Sequence, residues 1–87
     1  MAQVAKGVAS FTSGGAETAS FSWVDVITNA PVTFSGVPTV WGGPPVVTDG
    51  TGAGVPFIAG TGNLTTTGGV LTMANPPTCT VTLTAIG

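Results

Sequence analysis

The chain has 87 residues with one basic side chain (Lys6), three acidic ones (Glu17, Asp25 and Asp49) and no His, for a net charge of -2. A chain this short has surface enough for one hydrophobic core, so a single domain over residues 1–87 is expected. One lysine cannot neutralise a run of phosphates, which argues against a nucleic-acid partner, and 43% hydrophobic residues with so little charge is the opposite of a disordered composition.

Val, Thr, Phe, Trp and Ile dominate the periodic segments while Gly and Pro punctuate them, so strands are expected throughout. The first is predicted over 4–12, ended by the turn "SGGAE". The second is predicted over 18–28, with Ala19, Phe21 and Trp23 on one face and Ser20 and Ser22 on the other. Its alternation degrades at Val24 to Val26, which predicts a bulge or burial on both faces. Pro38 is expected at a strand start or an edge, with strands at 38–41 and, after the "WGGPP" break, at 46–48. "TDGTGAG" reads as a flexible loop. A further extended segment is placed near 55–59, and the Thr-rich "GNLTTTGG" links it to a strand over 70–73.

The last strand, 78–86, has the cleanest period of two. Cys79, Val81, Leu83 and Ala85 point one way and Thr78, Thr80, Thr82 and Thr84 the other. Threonine fits a pleated sheet and meets water without charge, so it is expected to form a solvated outer face. About six short strands with frequent turns predict an all-β fold, a small antiparallel β-sandwich.

Burial and ordering entropy, at roughly 1.5 kcal/mol per residue, nearly cancel in so small a chain. Cys79 is alone and cannot staple the chain, and neither His nor a carboxylate cluster is present to hold a metal. No metal or cofactor is therefore expected, and association with other chains is the favoured source of extra stability. No stretch approaches the ~18 apolar residues of a spanning helix, so membrane insertion is not expected. The start, "MAQVAKGVAS", lacks an apolar region of ~7 to 15 residues, so no secretory signal is expected and synthesis is placed in a cytoplasm.

Chemistry is poorly provided for. Without His or Tyr there is no ready proton carrier near neutral pH and no Ser-His-Asp or Cys-His arrangement. Asp25 and Asp49 are the available carboxylates, and turn and edge positions account for both. Cys79 on an apolar face reads as a small hydrophobe. "DGTGAG" lacks the helix and lysine of a phosphate-binding loop. Asn63-Leu64-Thr65 matches a glycosylation acceptor by chance in a Thr-rich chain. Trp23 is expected inside, while Trp41, between a strand and "GGPP", is open between core, subunit contact and ligand platform. Trp41 and Asp49 are the candidate ligand or subunit contacts.

Two stretches carry a family resemblance: "ASFSWVDVITNAPVTFSGVPTVWGGPPV", with Phe34, Pro38 and Val40 in an F-x-x-x-P-x-V pattern, and "GNLTTTGGVLTMANPPTCTVTLTAIG", with Thr66, Thr67, Gly68 and the terminal Ala85-Ile86-Gly87. Together they resemble the H-type lectin-like domains of snail agglutinin relatives and phage tail-fibre tips, over about residues 8–87. The resemblance implies a six-stranded antiparallel sandwich that forms a homotrimer. It leads to the expectation of a non-enzymatic bacteriophage structural protein on the virion exterior, assembled in the host cytoplasm with capsid or tail proteins as partners. A fibre tip ordinarily carries a long shaft, so a small trimeric capsid decoration protein is the first expectation. A minor tail or fibre-tip protein binding a host-surface glycan is the alternative.

Overall fold

The computed structural model describes residues 3–49 and 55–87. The last strand organises it. β7 (Thr78–Ile86) pairs antiparallel with β1 (Val4–Phe11) over eight residue pairs, from Val4 opposite Ile86 to Phe11 opposite Cys79. Strand β3 (Val24–Asp25) flanks β1 on its other side. The other edge of β7 is shared by β4 (Thr39–Gly42), opposite residues 83–86, and β5 (Val46–Asp49), opposite residues 78–80. These two act as one long strand broken by Gly43, Pro44 and Pro45. Three residues there span the two positions Val81 and Thr82, so the register slips by one, as a bulge requires. Proline has no N–H to give a ladder, which is why the break falls there on an edge.

The second sheet has two strands, β2 (Thr18–Ser22) and β6 (Gly68–Thr72), antiparallel with Phe21 opposite Gly69. It packs on the inner face of the first sheet, and the buried residues of both form one core of Phe11, Phe21, Trp23, Val32, Phe34, Leu71, Met73, Val81, Leu83 and their smaller neighbours. The described chain is all-β and antiparallel, with sandwich-like layers; its one helical element is a 3-10 turn at Thr61–Asn63.

The second predicted strand differs most from expectation. Residues 18–22 belong to the small sheet and 24–25 to the large one, so the chain changes sheets at Trp23. That change explains the broken alternation: Trp23 serves both layers, its N–H donating to Thr67 and its C=O accepting from Val32. Residues 26–28 are a turn, not strand. The segment near 55–59 contributes only a bridge between Phe57 and Thr72. The predicted strand at 70–73 starts two residues earlier, at Gly68, and ends at Thr72. Of the predicted "TDGTGAG" loop, Thr48 and Asp49 are strand, and 50–54 lie outside the described residues.

Trp23 is fully buried and its indole N–H donates to the Thr65 carbonyl at 3.1 Å. Phe21 lies 4.9 Å from it, tilted by 60°, and Phe34 meets it edge-on at 6.3 Å. Both Phe21 and Trp23 press on Gly7 of β1, where an added Cβ would come within 2.7 Å of one ring and 2.9 Å of the other. The glycine is there for close approach, not for its turn geometry.

Candidate functional site

Among the described residues the large sheet is covered on one face only. Its register aligns the outer side chains in rows: Val4, Ile86 and Thr39; then Val24, Lys6, Thr84 and Trp41; then Val8 beside Thr82; then Ser10, Thr80 and Val46. Val4, Val8, Trp41 and Val46 are exposed, as are Thr80, Thr82 and Thr84. Lys6 is the one charged side chain in these rows. The outcome is a nearly uncharged surface in which valines, one indole and threonine hydroxyls alternate.

Trp41 is 54% exposed on this face, opposite Thr84 and two strands from Lys6. Asp49 is exposed at the far end of β5, opposite Thr78. Their partners on β7, Thr84 and Thr78, are six positions apart, about 20 Å at strand rise. The structure therefore does not bring Trp41 and Asp49 into one site.

Asp25, Glu17, Asn63 and Thr65 are engaged in structural hydrogen bonds. Asp25 Oδ1 accepts the N–H groups of Ile27 (2.8 Å) and Thr28 (2.9 Å). These bonds, Thr28's first, hold its carboxyl below the usual 3.8. Glu17 accepts the Asn75 N–H at 2.8 Å. Asn63 donates to the Ala59 carbonyl, and Thr65 Oγ1 bonds to Gly68, so the acceptor-like triplet is tied into a turn. Thr65, Thr66 and Thr67 offer their carbonyls to Trp23 Nε1, Phe34 N and Trp23 N respectively, which makes the Thr-rich link a bracket for the core aromatics. Cys79 is buried on the inner face. Among the described residues no group of three potential metal ligands converges, and no helix is long and apolar enough to cross a membrane.

Two features escape a strand-by-strand sequence reading. The first is the turn after Asp25, which leaves Ile27 85% exposed; Asp-x-x-Thr-Asn is a recognisable turn signature that could have found it. The second is an open groove of about 480 Å³ lined by Val37, Ile58, Gly60 and Leu64. Val37 lines one side of it and Ile58, Gly60 and Leu64, from a single stretch later in the chain, the other, and no local pattern marks the pairing. No known protein family, curated protein or solved structure matches the chain.

Proposed function

We propose that the chain is a non-enzymatic structural protein of a bacteriophage particle, a small trimeric decoration protein on the capsid exterior. The observation that carries this reading is the outer face of the large sheet, whose exposed valines and Trp41 are accompanied by one charge. Colloidal repulsion is weak for such a surface when free, and covering it against neighbouring protein removes the exposed apolar groups from water. The resemblance to H-type lectin-like domains of phage fibres supports the particle context and the trimer.

The face spans about four strands by four same-side positions, on the order of 400 Å². That is half of the roughly 800 Å² per partner of a standard interface. One copy would attach weakly, and three joined copies would attach far more strongly because the second and third contacts are intramolecular. Bound subunits stabilise the shell by mass action, summed over copies. Apolar attachment resists salt. Particles washed in moderate NaCl should keep the protein, and its loss in NaCl alone overturns the proposal; Trp41→Asp should release it.

The exposure of Trp41 beside Thr84 and Thr39 favours a second reading, in which the same face stacks a host-surface sugar on the indole. A glycan array with purified protein separates the two. Specific binding abolished by Trp41→Ala supports the lectin, and a blank array supports decoration.

A further inference from the structure

β6 and β7 are consecutive strands that lie in different sheets, and no ladder joins them. The link between them, residues 73–77, is therefore a crossing between layers and not a hairpin turn. β7 fills a slot with β1 on one side and β4 and β5 on the other. The slot recognises β7 by its ladder and by the buried Cys79, Val81, Leu83 and Ala85, whichever copy of the chain supplies the strand.

The link turns back at a residue that resists the turn. Asn75 has φ 46°, in the left-handed region, and is followed by Pro76 and Pro77. Asparagine visits that region, but the ring of a following proline drives the residue before it towards extended backbone. The two prolines, each with φ fixed at about −65°, favour an extended course as well. Glu17 opposes them: its carbonyl accepts from Met73, and its Oε2 accepts from Asn75 at 2.8 Å. Opening the link beyond Met73 gives up the Asn75 bond and the burial of the two prolines. It breaks no pairing between β6 and its neighbours. Extended, residues 74–77 span about 14 Å, more than the roughly 10 Å between packed sheets, so an open link carries β7 out of its own layer.

We propose that copies of this chain exchange β7, the opened Asn75–Pro77 link of one copy delivering its last strand into the β1/β4–β5 slot of the next. The inference rests on the trimeric reading above and deepens it by naming the element that joins the copies. Exchange of an identical element is a low-cost route to an oligomer, and a short hinge under strain invites it. The contact between copies is the one β7 already makes within a chain, so no additional surface has to be complementary. Three copies that each pass β7 onward close into a ring with every slot filled. The threonines of β7 still face outward, so the outer face keeps its composition.

The test is a cross-link that reports which chain fills the slot. Gln3 and Gly87 exchange both backbone bonds, so Val8 and Thr82, five pairs further along, form a non-hydrogen-bonded pair on the outer face, where side chains approach most closely. The full chain carrying Val8→Cys, Thr82→Cys and Cys79→Ala is refolded at high concentration, oxidised and run on a denaturing gel without reductant. Circular dichroism checks folding, and analytical ultracentrifugation gives the mass. Exchange predicts covalent dimers and trimers that collapse to monomer on reduction. A monomer band from a trimeric sample overturns the exchange while the trimer stands, and a wild-type chain that is monomeric at high concentration overturns both. Two variants without added cysteines give an independent readout of the hinge. Asn75→Gly accepts the closed turn freely and should weaken association about fivefold or more, whereas Glu17→Ala removes the clamp and should strengthen it. An oligomer that neither substitution moves overturns exchange through this hinge.

Discussion

β1 and β7 lie side by side for eight residue pairs, and they divide their side chains between core and solvent by different rules. In β7 the rule is hydropathy: Cys79, Val81, Leu83 and Ala85 are buried, and the threonines face out. Along β1 as far as Ala9 the rule is size. Ala5, Gly7 and Ala9 are buried with Phe11, while the larger Val4 and Val8 point into solvent beside Lys6 and Ser10. The reason is the change of sheets at Trp23, which lays an indole and the Phe21 ring against the middle of β1. The comparison shows that a strand's inner face is chosen by the space its neighbours leave, and hydropathy predicts it only where that space is ordinary.

Removing the ring that imposes the rule should have the largest effect. Trp23→Ala leaves a cavity and an unanswered Thr65 carbonyl, and a loss of about 3 to 5 kcal/mol is expected. Against a total on the order of 5 to 10 kcal/mol for a chain this size, urea unfolding should show the variant at the edge of stability. Gly7→Val should cost about 1 to 3 kcal/mol by overpacking. Combined with Trp23→Ala it should cost less than the sum, since the valine occupies part of the vacated space; strict additivity in a double-mutant cycle would mean that Gly7 is small for another reason.

A smaller effect is expected at the far edge of β1, where the Asp25 turn holds β3. A carboxyl lowered below 3.8 in the folded state contributes stability that is fully present above that value and is lost as pH falls through the folded value. Asp25→Asn should therefore flatten the acid limb of a urea-midpoint profile by lowering its neutral end, with the acid end little changed. The smallest effects belong to the outer face. Val8→Thr and Thr82→Val should each stay within about 0.5 kcal/mol in thermal unfolding, because neither side chain packs against a second layer. A large loss from either would show that the face is covered within the purified protein itself.

Much of the fold was legible. The β7 alternation set its register and its faces, the scarcity of helix formers and the spacing of Gly and Pro set the all-β class, and the burial of Trp23 and Cys79 followed from their strands. Trp41, next to "GGPP", stays open between core and surface in the sequence, and the pairing of β4 with β7 puts it on the outer face. The split of residues 18–28 between two sheets was visible only as a disturbance of pattern, because a chain that serves two layers has no single period. Asp49 was singled out with Trp41, but the pairing of β4 and β5 along one strand keeps them apart.

By itself, the order of residues determined the strand-rich class, the core side of β7 and the lack of ionic groups, since these depend on period and composition. The tertiary structure alone decided which side of β1 is buried and that Val37 meets the 58–64 segment in one groove. Each of those depends on segments distant in sequence competing for the same space, and local periodicity does not encode the outcome of that competition.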